Sequence, residues 1–211
     1  MTIESATYHQ RVALEKRVAI IEAATGLFFE SGYDGTSLAR IAEAAGVSKA
    51  TLFKQFPTKA ALFGAIVTES WKVGSDDGAA PLPGDIRAGL TAIGGRYVDL
   101  LTRPGMASLF RIVIAEAPRF PELAKIQFEH GKMPFFDTVE QYLEAEAAAG
   151  HVRLKDSTTA ATQFLGMISN HVFWPRLLLV DWNPDGIDTD WVVAEAVETM
   201  LARYGVSGTE G

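Results

Sequence analysis

The four histidines at positions 9, 130, 151 and 171 are the side chains best suited to hold a metal or to move a proton near neutral pH. A di-metal site in a helical protein requires a glutamate three residues before a histidine. Here those positions hold Ala6, Gln127, Ala148 and Ile168, none of them a carboxylate. There is no His-Glu-x-x-His pair, no Gly-x-Ser-x-Gly elbow and no phosphate-cradling Walker loop. The chain contains no cysteine, which excludes disulfides, thiolate ligands and a thiol nucleophile. Arg111 and Glu116 read as solvated or structural charges. The sequence therefore predicts no catalytic residue, no metal site and no cofactor, and the chemistry to seek is that of binding.

Residues 36–63 carry the strongest pattern. Leu38, Ile41, Ala42 and Ala45 recur at the spacing of one helical face. Thr36 or Ser37 can cap the start of that helix, and Gly46 can end it in the left-handed conformation. Ser48 then caps a second helix after only a Gly-Val link. Leu52 and Phe56 lie four apart and face inward together, which leaves Lys49, Ala50, Phe53 and Lys54 on other faces. Pro57 disfavours a helical Phe56, and Thr58 can cap a third helix. Two helices about a short turn containing glycine make a helix-turn-helix unit, whose second helix enters the DNA major groove. The same pattern also suits an ordinary corner between two helices.

Gly32-Tyr33-Asp34-Gly35-Thr36-Ser37, then Ile41-Ala42, then Ala45-Gly46-Val47-Ser48-Lys49-Ala50-Thr51-Leu52-Phe53, then Phe56-Pro57-Thr58-Lys59 with Leu62 resembles the tetracycline-repressor (TetR/AcrR) family, without a gap from about Ile20 to Phe63. The resemblance implies an all-α homodimeric transcription regulator, usually a repressor released by a small ligand. It implies that Thr36 and Ser37 meet phosphate, that Lys49, Ala50 and Thr51 read bases and backbone, and that Lys59 meets phosphate. Ser48, Phe53, Lys54 and Gln55 complete the DNA-binding set. The family commonly has Tyr where this chain has Phe53, and often His or Tyr at Gln55. Phe53 has no hydroxyl for phosphate and is suited to a thymine methyl or a sugar instead; Gln55 suits phosphate or a base edge.

The net charge of −7 is unusual for a DNA binder, but it is unevenly spread. Residues 1–60 carry seven Lys/Arg against six Asp/Glu, whereas the remainder carries twelve against twenty. A small reading head on an acidic body fits that division, with modest, salt-dependent nonspecific DNA affinity. At 211 residues the chain is long enough for a substantial core. No apolar run approaches the ~18 residues of a membrane span, and charges interrupt the N-terminus where a secretory signal would be apolar. A cytoplasmic protein without membrane partners is expected.

About nine helices are expected: a three-helix head (residues 1–56, the DNA-binding domain) and an effector-binding and dimerisation body (residues 57–211). Residues 1–10 read as a frayed arm, 10–31 as the first helix, and 59–73 as the helix leaving the head. Residues 74–84 and 181–186 read as loops, and 205 onward as a tail. A helix over 85–102 contains Gly94-Gly95, which suggests close helix approach or room for a ligand. A short helix over 106–117 follows. A long helix over 121–149 should kink near 129–131 because of Pro134. A helix over 156–180 is interrupted at Pro175, and a last helix spans 190–204. A pocket region is expected from Trp71, Tyr97, Met106, Phe110, Ile114, Phe128, Met133, Phe136, Asn170, His171 and Trp174, because ligand sites are mainly apolar with a few polar groups. The effector would be lipophilic or aromatic.

From about Arg103 onward the chain also resembles the AefR-like C-terminal domain of this family. The residues that carry this are Leu109-Phe110-Arg111-Ile112-Val113-Ile114-Ala115-Glu116-Ala117-Pro118-Arg119-Phe120-Pro121-Glu122-Leu123 and Gln163-Phe164-Leu165-Gly166. It implies a homodimer through the last two helices. The expectation is thus a ligand-responsive dimeric repressor of a palindromic operator, with operator DNA and a small effector as partners. The rival reading is a ligand-binding or scaffolding dimer that no longer reads DNA.

Overall fold

The computed structural model describes residues 8–72, 81–179, 182 and 186–206, apart from the side chain of His9. Parts of the expected arm, of the two loops and of the tail fall on residues 1–7, 73–80, 180–181, 183–185 and 207–211, and lie outside the described residues. Among the described residues the secondary structure is helical, apart from one isolated antiparallel bridge between Val152 and Gly205. The helices are α1 (Tyr8–Ser31), α2 (Leu38–Ala44), α3 (Lys49–Gln55), α4 (Lys59–Trp71), α5 (Ile86–Thr102), α6 (Met106–Glu116), α7 (Pro121–Ile126), α8 (Met133–Ala148), α9 (Ser157–Val172), α10 (Trp174–Leu178) and α11 (Thr189–Tyr204).

Two expected helices are each divided, and proline explains both divisions. Pro134 has no N–H, and its ring would strike the carbonyl of His130 in a regular helix. The chain responds with a wide π-turn over Gln127–Lys132, between α7 and α8. The expected disturbance is therefore a widening that absorbs an extra residue. Pro175 sits in the first turn of α10, where proline is tolerated, and α9 ends before it at Val172.

The chain packs as two compact units. The first takes in residues 1–69 and 108–130, and the second residues 70–107 and 131–211. In the first, Ile20, Ala24 and Phe28 of α1, Ile41 and Ala42 of α2, Leu52 and Phe56 around α3, and Leu62, Phe63, Ile66 and Val67 of α4 are buried. Leu123 of α7 joins them with no exposed surface. Each of the Ile, Leu, Val and Phe side chains contributes roughly 1.5–3 kcal/mol relative to an exposed one.

The second unit is built from α5, α8, α9, α10 and α11. Gly94 of α5 faces two helices: a Cβ there would lie 2.7 Å from Val193 Cγ1 and 3.2 Å from Ile168 Cδ1. Gly94 thus serves close helix approach, while a Cβ at Gly95 would meet nothing within 4 Å. At the far end of α8 the Glu146 carboxylate is fully buried. It accepts from the Tyr142 hydroxyl at 2.6 Å, from His151 Nδ1 at 2.6 Å and from the Gly84 N–H at 3.2 Å. Burial, and then the bond to Glu146, raise the Tyr142 pKa far above the usual tyrosine range. The glutamate ties together the chain entering α5, the body of α8 and the turn after it.

Candidate nucleic-acid interface

The local chemistry of α2 and α3 assembles the site. Ser37 caps α2 by accepting from the Arg40 N–H at 3.2 Å. Gly46, at φ +63°, turns the chain back, and Val47 N–H closes on the Ala42 carbonyl at 3.0 Å. Ser48 caps α3 through the Thr51 N–H at 3.1 Å, and the two hydroxyls lie 2.9 Å apart. Phe56 closes α3 in the extended conformation that the following proline demands (φ −138°). Leu52 has no exposed surface, and Phe56 is 2% exposed. With that side anchored, Ser48, Lys49, Ala50, Phe53 and Lys54 face outward, and Thr51 and Gln55 are half-buried. Phe53 is 49% exposed. A concavity beside this face is lined by Ser37, Ala39, Arg40, Ala42, Glu43, Val47 and Lys49.

Thr36 and Lys59 occupy different surroundings. Thr36 is 1% exposed, and its hydroxyl lies within hydrogen-bonding reach of the Gly32 carbonyl at 2.8 Å and the Leu27 carbonyl at 3.1 Å. Lys59 Nζ donates to the Tyr33 carbonyl at 2.6 Å and to the Thr36 carbonyl at 2.9 Å, and stands 4.4 Å from the centre of the Tyr33 ring. Burial lowers the pKa of this ammonium, with Asp34 and Glu116 acting the other way. Both side chains hold the turn over residues 32–36, which aims α2. Ser37, by contrast, is exposed.

The same turn is clasped from a second direction. Glu116, at the end of α6, accepts from the Asp34 N–H at 3.2 Å, and Arg119 Nη1 meets the Asp34 carboxylate at 2.8 Å. The Phe120 ring packs edge-on against Tyr33 at 5.1 Å. Gly32 has φ +73°, a conformation that favours glycine, and a Cβ there would stand 3.2 Å from Glu116 Oε1. The Tyr33 phenol is pushed up to about 12, chiefly by burial and then by the Glu122 and Glu116 carboxylates. Sequence reasoning gave Glu116 no specific task, because its partner lies 82 residues away.

The expected pocket residues fall in both units. Phe110, Ile114 and Phe128 belong to the first unit, and the other eight to the second. Trp71, Tyr97, Met106 and Phe136 are buried, and Phe110 and Met133 half-buried. Tyr97 stacks on Phe135 at 5.3 Å, and burial pushes its phenol up to about 12. Ile114 (61%), Phe128 (52%) and Trp174 (50%) are exposed. Asn170 and His171 are also exposed, and line a concavity between α9 and α11 with Met167, Trp191, Val192, Glu195, Ala196 and Thr199. Apolar spacing identified inward positions but not which helix each would meet. Among the described residues no group of three or more His, Asp or Glu is placed to hold a metal ion.

Comparison with known proteins agrees with this geometry. Residues 20–66 match the family model described as bacterial regulatory proteins, tetR family. Residues 88–206, more than half of the chain, match the AefR-like transcriptional repressor C-terminal domain. RutR of Escherichia coli K12, an HTH-type transcriptional regulator, is 44% identical over 59 residues, a match that spans only 28% of this chain and 28% of RutR. A solved TetR-family structure from Mesorhizobium loti MAFF303099 is similar over 92% of this chain and 98% of its own, at 27% identity and TM-score 0.74. The flavonoid-responsive regulator FrrA is similar over the same shares, at 29% identity and TM-score 0.71.

Proposed function

The chain belongs to the TetR family of transcriptional regulators, with an AefR-like C-terminal domain, and on that premise we propose that it is a dimeric repressor released from a palindromic operator by a small lipophilic effector. The family and the similar structures are transcriptional regulators rather than enzymes. The observation that carries the DNA reading is α3 itself. It is locked by Ser48, Leu52 and Phe56, and it turns Lys49, Ala50, Phe53 and Lys54 outward. Lys49, Ala50 and Thr51 read bases and nearby backbone. Ser37, Ser48, Lys54 and Gln55 position the helix on phosphate, and Phe53 packs on a thymine methyl or a sugar. Residues 1–56 form the reading domain, and 57–211 the effector-binding and dimerisation domain. Two copies pair through α9, α10 and α11, where Trp191 is 56% and Leu178 69% exposed. Among the described residues no helix is long and apolar enough to cross a membrane; a DNA target places the protein in the cytoplasm.

Two heads read successive major grooves about one helical turn apart, or a multiple of it. An effector that prefers the dimer with its heads wrongly spaced weakens DNA binding, and DNA weakens the effector by the same factor. The effector's nature is supported by the aromatic residues of the body and by FrrA, which is described as flavonoid-responsive. The test is titration of a selected operator duplex complex with a lipophilic extract. Release at constant salt supports the reading, and a complex unmoved by any fraction removes the effector from it.

Lys59 gives a sharper check on the head. Lys59→Met strips the Tyr33 and Thr36 carbonyls of a charged donor and should cost about 1.5–3 kcal/mol of stability. The slope of DNA affinity against salt should stay unchanged. A slope reduced by about 1 without loss of stability would make Lys59 a phosphate contact instead.

A further inference from the structure

Gln127 is a residue whose burial and bonding disagree. Its side chain is 4% exposed, and both amide atoms, Oε1 and Nε2, are buried with no hydrogen-bond partner in the protein. Buried amides are normally paired, because leaving water without a replacement bond is unfavourable. Neither the helix-turn-helix nor the proline-driven π-turn explains this one. Pro134 requires the helix to widen, but not that the widened turn begin with a buried amide.

The position is also a connected one. Gln127 directly follows Ile126, whose Cγ2 lies 3.6 Å from where a Cβ of Gly64 would stand. Gly64 leaves α4 bare there, so the end of α7 rests close against the α4 backbone. Helix α4 begins at Lys59, which holds the turn that aims α2. A group that shifts Gln127 therefore acts one residue from a contact with the helix that carries the reading head, within one compact unit.

We propose that Gln127 is the recognition group for the effector, and that the effector carries an amide-like edge, a donor and an acceptor side by side. This inference rests on the effector-response reading and narrows it. A carboxamide offers an acceptor and a donor together. A lactam, a pyridone-type ring or a primary carboxamide complements both atoms at once, its N–H donating to Oε1 and its carbonyl accepting from Nε2. A hydrocarbon leaves both atoms unpaired, and an ionised carboxylate, which only accepts, leaves Oε1 unpaired. The rest of such a ligand can be as apolar as the body's composition suggests.

The experiment uses the full chain without DNA. Thermal unfolding and equilibrium dialysis are run with δ-valerolactam, 2-pyridone, isoquinolin-1-one and benzamide as amide-edge probes, and with toluene and benzoate as controls. The expected result is that at least one amide-edge probe at millimolar concentration raises the melting temperature of the wild type and the controls do not. Gln127→Leu should melt no lower than wild type without probe, because an apolar group of similar size replaces an unpaired one. It should bind the effective probe about tenfold or more weakly, the usual result when a site built for a polar group loses it. The proposal is overturned if no amide-edge probe stabilises the wild type, if the controls do so equally, or if Gln127→Leu binds the probe as well as wild type. Should Gln127→Leu not fold, the wild-type preference for amide-edge probes over the controls decides alone. Adding a selected operator duplex separates this inference from its premise. A probe that binds through Gln127 but leaves the duplex bound keeps the site and removes the effector role. No binding by any probe, with the duplex still recognised, removes the site and keeps the regulator.

Discussion

Lys49→Ala should lower operator affinity about thirty-fold or more and relax the sequence preference at one position of each half-site. Lys49 is the first residue of α3, directly after the Ser48 cap, and is exposed. That places it where a recognition helix meets the floor of the groove. One base contact is worth about 1–3 kcal/mol, and a symmetric dimer loses it twice, so even the lower figure gives about 2 kcal/mol. The cap and the buried face of α3 do not involve the lysine side chain, so the melting temperature should stay within about 1 °C of wild type. Binding to randomised duplexes, compared between the two proteins, separates the outcomes. A changed consensus identifies a base contact. An equal loss on every sequence, with a smaller salt slope, assigns Lys49 to phosphate and leaves the base reading to its neighbours.

The head was legible because its signals are local. Ser37, Gly46, Ser48 and Pro57 act on backbone groups within a few residues of themselves, so their types alone predict caps and turns, and the structure has them so. Lys59 shows where that reasoning ends. Its type allows phosphate, but its partners are carbonyls 23 to 26 residues earlier, brought to it by the fold. Glu116 and Arg119 likewise find Asp34 only in three dimensions. Pro134 announced a disturbed helix, while the form of the disturbance, a π-turn, depends on the packing around it. Which body side chains turn inward was the least legible part. Periodicity marks Tyr97, Met106 and Phe136 as inward, but cannot separate them from Asn170 and His171, which face outward beside α11. Gln127 carries no sequence signal at all, since most glutamines are exposed.

Glu146→Ala should remove about 3–5 kcal/mol of stability, the range for breaking one side of a buried charged network. Glu146 has no exposed surface, unlike most glutamates. Removing its carboxylate strands His151 Nδ1 and the Gly84 N–H, and leaves the Tyr142 hydroxyl only the Asp85 carbonyl at 3.3 Å. Tyr142 also packs against Gly89, where an added Cβ would run into its ring, so it loses its main hydrogen bond in a tight place. For a chain of this length the loss corresponds to a fall of roughly 6–20 °C in melting temperature. Glu146→Gln keeps one acceptor for Tyr142 and should fall by less than half as much. A drop below about 3 °C for the alanine variant would show that the carboxylate contributes little to the fold.

The proposed function requires that this chain read a specific DNA sequence as a symmetric dimer. The most direct measurement is selection of binding sites from a random duplex pool with the purified full chain at moderate salt. One palindrome should be enriched, with half-site centres about one helical turn or a multiple apart. A folded, dimeric protein that enriches no sequence would contradict it, and would leave a ligand-binding or scaffolding dimer as the function of this fold.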